Sequence, residues 1–179
     1  MKLLRLIVSM VMLGGLAGCV DSATPLFGPE TRAVPFRSAT RFEVYSRNHS
    51  GQPWRKQSKT KGFVADADNV IRELDDTGKP SDGERYTLHP IGPNYFMLQM
   101  EREGRFYYGV VEYRNNELIL TMFDCKEIDQ TIFESMGGRM SSEGDRCSID
   151  GVKDPIGVLK GLALLANRAQ ERYVPVPGR

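Results

Sequence analysis

Histidine, tryptophan and cysteine are scarce in this sequence, whose 179 residues include two, one and three of them respectively. His49 and His89 are the side chains that would serve most readily as general bases near neutral pH, and neither lies in a recognisable catalytic context. The chain also has no glycine-rich phosphate loop and no Gly-x-Ser-x-Gly turn, which mark nucleotide-binding proteins and many serine hydrolases. We therefore expect no enzymatic activity.

An excess of charge of either sign is also lacking. Twenty-four Lys and Arg residues stand against 23 Asp and Glu residues, which gives a formal net charge of +1. A basic surface large enough to bind nucleic acid is not expected from this balance. The apolar stretch at residues 6–13 is far shorter than the roughly 20 residues that a transmembrane helix needs.

Residues 1–18 have the three parts of a signal peptide. Lys2 and Arg5 supply the positive charge, the apolar stretch follows, and small residues lead to Leu16-Ala17-Gly18-Cys19. This pattern resembles the lipobox signal of a bacterial lipoprotein. The resemblance implies that residues 1–18 are removed and that Cys19 carries a diacylglycerol and an N-acyl chain. We expect no other cofactor and no metal.

The same resemblance implies a location in the bacterial cell envelope. Two or three acyl chains together hold a protein firmly to a bilayer, so the mature chain would be membrane-anchored and face the periplasm. Val20 stands where lipoproteins retained in the inner membrane tend to carry Asp, which favours the outer membrane. Removing residues 1–18 takes away two cations and no acid, leaving a net charge of about −1.

The mature chain divides into an anchor region and one domain. Residues 19–35 include three prolines and suit a tether that carries the lipid anchor. Residues 36–179 are long enough to bury a core and form a single β-rich domain with a C-terminal helix.

Cys125 and Cys147 remain as two thiols once Cys19 is assigned to lipid. In an oxidising compartment they would form a disulfide, and the loop that they close would stabilise the fold by about 3 kcal/mol. The alternative is a reactive or metal-binding pair. The separation of the two residues lacks the close Cys-x-x-Cys spacing of such sites.

Alternating apolar residues predict an antiparallel β meander. Residues 86–124 contain three hairpins, broken at 92–94, at Gly104 and at 115–116, and residues 41–47 form an earlier strand. Residues 54–64 and 69–75 are weaker strand candidates. In all, we predict six to eight strands in a barrel or sandwich.

Asp154-Pro155 marks the start of an amphipathic helix whose apolar spacing continues to about residue 172. Residues 173–176 could then add a short edge strand. At the level of fold alone, the arrangement resembles the lipocalins and related calycin barrels. Their Gly-x-Trp motif is absent, since the single tryptophan, Trp54, follows Gly51-Gln52-Pro53.

Two groups of residues are candidate binding sites. Residues 54–61 combine Trp54 with the cations Arg55, Lys56, Lys59 and Lys61, which could meet an anionic envelope surface or simply keep a sheet edge soluble. Tyr95, Tyr107, Tyr108 and Tyr113 could line a ligand site or pack as ordinary core residues. Residues 66–69 begin like a calcium loop, but Ile71 and Thr77 occupy the positions where that loop needs glycine and an acid.

These observations predict a non-catalytic lipoprotein that binds an envelope protein partner or acts as a scaffold. The alternative is a β-barrel carrier of a small apolar ligand, favoured by the aromatic-rich meander. A carrier needs an enclosed apolar cavity, whereas a scaffold should have a filled interior.

Overall fold

The computed structural model describes residues 19–36, 40–49, 51–164 and 169–176. The predicted signal peptide, residues 1–18, lies outside the described residues. Within the described part of the chain no helix is long and apolar enough to cross a membrane.

The described residues form eleven strands and two α-helices. In chain order the strands are β1 (Val20–Ser22), β2 (Thr40–Arg47), β3 (Arg55–Ala65), β4 (Ile71–Leu74), β5 (Pro80–Gly92), β6 (Tyr95–Arg102), β7 (Arg105–Arg114), β8 (Glu117–Met122), β9 (Arg139–Met140), β10 (Cys147–Ser148) and β11 (Gln170–Pro175). The helices are α1 (Gln130–Ser135) and α2 (Pro155–Leu164).

Eight of the strands close into an antiparallel barrel. The order around it is β6-β5-β4-β3-β2-β11-β8-β7, and β7 pairs with β6 to complete the circle. The prediction of a mainly β fold with a helix near the C-terminus is therefore confirmed, and the barrel rather than the sandwich is the form adopted.

Tight turns produce the β5 to β8 meander, as predicted. Asn94, Asn115 and Asn116 all have positive φ, and so does the pair Glu103-Gly104. Asn and Gly adopt this conformation with little strain, which allows two-residue connections between twisted strands. The β6–β7 and β7–β8 hairpins consequently pair without interruption, from Tyr95 opposite Glu112 to Arg114 opposite Glu117.

The two faces of the meander pack into two separate cores. Inside the barrel a cluster of buried side chains comprises Phe42, Val44, Ile71, Leu88, Leu98, Val111, Leu118 and Tyr173. A second cluster on the outer face of β6 and β7 includes Met97, Tyr108 and Val110, covered by the helices and the N-terminal segment. This double burial is why β7 reads as apolar on both faces.

A small side sheet extends the barrel wall beyond β7. β1 pairs with the first residues of β7, and it also pairs in parallel with β10, which pairs with β9. The predicted disulfide between Cys125 and Cys147 is confirmed, with a Cα–Cα distance of 5.6 Å. It joins β10 to the turn that follows β8, and both cysteines are buried in the outer core.

The C-terminal elements differ from the prediction. α2 ends at Leu164, not near residue 172, and residues 170–175 form β11, a full barrel strand rather than an edge strand. β11 lies between β2 and β8 and pairs with both. Six residues of β11 bond to β2, so sheet pairing outweighs the helical spacing that continues past residue 164.

The segment expected to be a tether lies against the barrel. Val20 is fully buried, the main-chain amide of Ala33 donates to the carbonyl of Leu88 at 2.9 Å, and Phe27 stacks on His89. Phe36 packs edge-on against Phe42, with a ring-centroid distance of 5.8 Å, and lines the barrel interior. Little of residues 19–36 is therefore left as free linker.

Candidate functional site: the barrel cavity

The interior of the barrel holds a cavity of about 260 Å³. Apolar and aromatic side chains form most of its wall: Phe36, Phe63, Ile71, Tyr86, Leu88, Leu98, Met100, Val111, Leu118, Leu120, Met122 and Tyr173. Lys61, Glu84, Arg102 and Glu171 complete it. An eight-stranded barrel has room to hold one small ligand, and here the side chains leave that space open.

Strand alternation brings these residues to one place. Leu98, Met100 and Arg102 are alternate residues of β6, so their side chains point into the barrel, whereas Met97 packs in the outer core. The four charged residues of the cavity wall, Lys61, Glu84, Arg102 and Glu171, lie at one end of the barrel, which we call the mouth. Phe36 lies at the opposite end.

A network of aromatic rings shapes the wall of the cavity. The Phe63 ring lies 5.8 Å from that of Tyr173 and 6.2 Å from that of Tyr86, both edge-on. The Phe42 ring lies 6.2 Å from that of Tyr173. Edge-to-face pairs of this kind are favourable beyond the area that they bury, so they stabilise the wall around the empty space.

Each of the two cavity tyrosines donates its hydroxyl hydrogen bond to a glutamate two residues earlier on the same strand. Tyr86 donates to Glu84 on β5, and Tyr173 donates to Glu171 on β11. Burial and the nearby carboxylates raise the pKa of both tyrosines well above the usual range. The hydroxyls therefore stay protonated and hold the two carboxylates toward the mouth.

Two cations balance part of this negative charge. Lys61 lies 3.7 Å from a carboxylate oxygen of Glu73, and Arg102 lies 3.5 Å from one of Glu84. Glu171 has no ion-pair partner within 4.0 Å among the described side chains. Outside the mouth a polar cleft continues along β5 and β6, and it shares Glu84, Tyr86 and Arg102 with the cavity.

The four tyrosines predicted to line a ligand site are not in the cavity wall. Tyr95 is 44% exposed at the β5–β6 turn, and the Tyr113 hydroxyl donates to Asn116 at 3.0 Å. Tyr108 lies on the outer face, where its hydroxyl meets that of Ser22 at 2.7 Å. Tyr107 is half-buried near the start of β7. The alternation of apolar residues separated the two faces of β7 but did not indicate which face lines the barrel cavity.

The tyrosines that do line the cavity, Tyr86 and Tyr173, were missed by the sequence analysis. A signal for them exists, because the pattern Glu-x-Tyr occurs at 84–86 and 171–173. The same pattern at 43–45 places Tyr45 and Glu43 in a hydrogen bond of 2.8 Å beside Lys56, away from the cavity wall. The pattern alone therefore does not distinguish a cavity pair from any other.

The cationic residues of β3, which were predicted to form one binding surface with Trp54, lie in different surroundings. Lys56 pairs with Glu43 at 2.6 Å, Lys61 reaches the cavity mouth, and Arg55 and Lys59 are exposed. Trp54 lies under the guanidinium of Arg47, whose central carbon is 4.2 Å from the ring centroid. These residues therefore do not form one uninterrupted cationic surface.

This stretch of β3 also lies at a sheet edge. β4 pairs with β3 only from Gly62 to Ala65, so residues 55–61 extend beyond β4. Lysine on such an edge discourages pairing with other chains, which agrees with the solvated-edge interpretation of the run.

The two histidines lie in different environments. His49 is exposed between β2 and β3, whereas His89 is buried, with its ring hydrogen-bonded to Thr31 at 2.7 Å and to Thr87 at 2.9 Å. Burial and the charge of Arg32 lower the pKa of His89 to about 4, although Glu30 opposes this shift. His89 is thus a neutral side chain that joins the N-terminal segment to β5.

The Asp66 carboxylate is used by the turn between β3 and β4. One of its oxygens accepts hydrogen bonds from the main-chain amides of Asp68 and Val70, both at 2.9 Å. Over the described ranges no group of three or more His, Cys, Asp or Glu side chains is arranged to hold a metal ion.

Cys19 lies immediately before β1 and is 8% exposed. It forms an isolated antiparallel bridge with Asp124, two residues after Met122 of the cavity wall. Burial, together with Asp124 and Asp21, raises the pKa of its thiol to about 11. In the folded domain this thiol is neutral and shielded.

Comparison of the chain with protein-family models, curated proteins and solved structures found no match.

Proposed function

We propose that the mature chain is a lipid-anchored β-barrel that carries a small apolar or amphipathic molecule in its cavity. The observation that carries the proposal is the cavity of about 260 Å³, whose wall is mostly apolar with charged residues at the mouth. A scaffold would gain stability from filling this space, because an unfilled apolar cavity forfeits packing contacts. The scaffold hypothesis stays a prediction.

The cavity limits the size of the ligand. Since a water-sized group occupies about 30 Å³, the cavity accommodates roughly eight or nine such groups. This volume lies just below the usual range of ligand pockets, which begins at about 300 Å³. A single chain of about eight carbons, or one small ring system, fits the space.

Membrane anchoring through Cys19 belongs to the same proposal. Because the thiol is shielded beside Asp124, a diacylglycerol on Cys19 would require its sulfur to leave this position and point away from the domain. An anchor there holds the barrel close to the bilayer, since β1 begins at the next residue.

The first test is native mass spectrometry of protein extracted from membranes. We expect the intact protein to carry additional mass that is lost on denaturation and corresponds to a bound small molecule. A protein that shows only its covalent mass, and that binds no added alkyl compound in solution, would contradict the carrier proposal.

A cavity-filling variant links the ligand to this site. Leu120→Trp places a large ring in the cavity and should lower ligand occupancy at least about fivefold, as expected for steric competition. Leu164→Trp is the matched control, because Leu164 lies on α2 and is 84% exposed. Equal occupancy in the two variants would place the ligand elsewhere.

A further inference from the structure

The arrangement of charges at the cavity mouth indicates which polar group the ligand carries. Three carboxylates, Glu73, Glu84 and Glu171, face two cations, Lys61 and Arg102. Glu73 and Glu84 each have an ion-pair partner, whereas Glu171 receives only the Tyr173 hydroxyl. Glu171 is therefore the carboxylate of this group that has no cation beside it.

The position of Glu171 connects this charge to the apolar cavity. Glu171 lies two residues before Tyr173 on β11 and opposite Leu120 on β8. Both Tyr173 and Leu120 line the cavity. The Tyr173 hydroxyl donates to one carboxylate oxygen, so the second oxygen of Glu171 is free to accept from a ligand. A donor bound there would have its apolar body beside Leu120.

We propose that the cavity selects a small amphiphile with a protonated amine as its polar group, and that Glu171 accepts a charge-assisted hydrogen bond from it. This inference rests on the proposed carrier function. A carboxylate or phosphate bound beside Glu171 would be repelled by that carboxylate, because no cation neutralises it. An alcohol could donate a hydrogen bond but would lack the ionic contribution.

The experiment compares three ligands with the same eight-carbon chain. Octylammonium, octanoate and 1-octanol are titrated by calorimetry at pH 7 into the full chain carrying Cys19→Ser, which avoids detergent. We expect octylammonium to bind at least about tenfold more tightly than octanoate, with octanol between them. Equal binding, or tighter binding of octanoate, would overturn the inference.

A charge-removing variant tests the assignment to Glu171. Glu171→Gln keeps the shape of the side chain and removes its charge, so the preference for octylammonium over octanol should fall about fivefold or more. Glu143→Gln is the control, because Glu143 is exposed in the connection between β9 and β10. A preference that is unchanged in Glu171→Gln would overturn the assignment.

The outcomes separate this inference from the proposed function. If none of the three ligands binds the Cys19→Ser barrel, the amine inference fails, and the carrier function is decided by whether native mass spectrometry shows a bound molecule. If all three bind with equal affinity and Leu120→Trp weakens them equally, the carrier function holds and the amine selectivity fails.

Discussion

Four polar side chains are buried among the described residues, and together they hold the N-terminal segment to the barrel. They are Ser22, Thr87, His89 and Gln99. The side-chain oxygen of Gln99 accepts from the main-chain amides of Leu26 and Phe27, at 2.9 and 3.1 Å. Each would be costly to bury without a partner, so their hydrogen bonds specify one docked position for this segment.

The pH dependence of stability should report the His89 contact. The pKa of His89 is about 4 in the folded chain and would be about 6.5 in the unfolded chain, so the unfolded state binds more protons between these values. Stability from this group is thus fully present above about pH 6.5 and is lost as the pH falls toward 4. The loss at pH 5 should be roughly 2 kcal/mol.

Urea denaturation between pH 7 and 4.5 measures this effect. In His89→Gln the part of the slope that belongs to His89 should disappear. His49→Gln is the matched control, because His49 is exposed, and its profile should follow that of the wild type. An unchanged slope in His89→Gln would show that other groups cause the pH dependence.

At the level of elements, one arginine adds an ion pair to the strand pairing that joins β1 to the barrel. Arg105, the first residue of β7, donates to both carboxylate oxygens of Asp21 at 2.7 and 2.8 Å, and it lies 3.4 Å from Asp150. Asp150 in turn accepts from the main-chain amide of Ala23 at 2.8 Å. Arg105 and Asp150 therefore hold β1 at Asp21 and at Ala23, the residue that follows it.

Arg105→Gln should loosen β1 without unfolding the barrel. The pair is partly exposed, so its loss should cost on the order of 1 kcal/mol, which corresponds to about fivefold faster amide exchange in residues 20–23. Hydrogen exchange followed by mass spectrometry measures this. Arg114→Gln, at the exposed end of the same strand, should leave β1 unchanged. Equal protection in the two variants would show that β1 does not depend on Arg105.

The elements also show what the sequence could predict. The β5 to β8 hairpins were predictable because their turn residues and alternation are local, as at Asn94 and Gly104. β11 was predicted only in part, as a short edge strand at residues 173–176, because its pairing with β2 joins residues far apart in the chain and its apolar pattern is too short to oppose the helical spacing before it. The tyrosines that line the cavity were missed for a related reason: alternation places Tyr86 and Tyr173 on one face of their strands, and only barrel closure makes that face an interior.

In the whole molecule, the predicted anchor and the cavity mouth lie near each other. β8 runs toward the mouth and ends at Met122, and Cys19 bridges Asp124 just beyond it. With β1 starting at Val20, a lipid on Cys19 would leave almost no free chain between the bilayer and the barrel. A carrier anchored in this way could exchange an amphiphile with the membrane over a short distance.

Replacing Cys19 tests the anchor on which this arrangement depends. The wild-type chain should be found in the membrane fraction, with an intact mass larger than that of residues 19–179 by two or three acyl chains and a glyceryl group, because such chains make dissociation negligible. Cys19→Ser should remain folded, with a melting temperature within a few degrees of the wild type, and its intact mass should lack the glyceryl and acyl groups. The small change at a buried position predicts this modest effect on stability. A wild-type chain of unmodified mass would contradict lipid anchoring at this residue, while ligand binding in the cavity could still be measured independently.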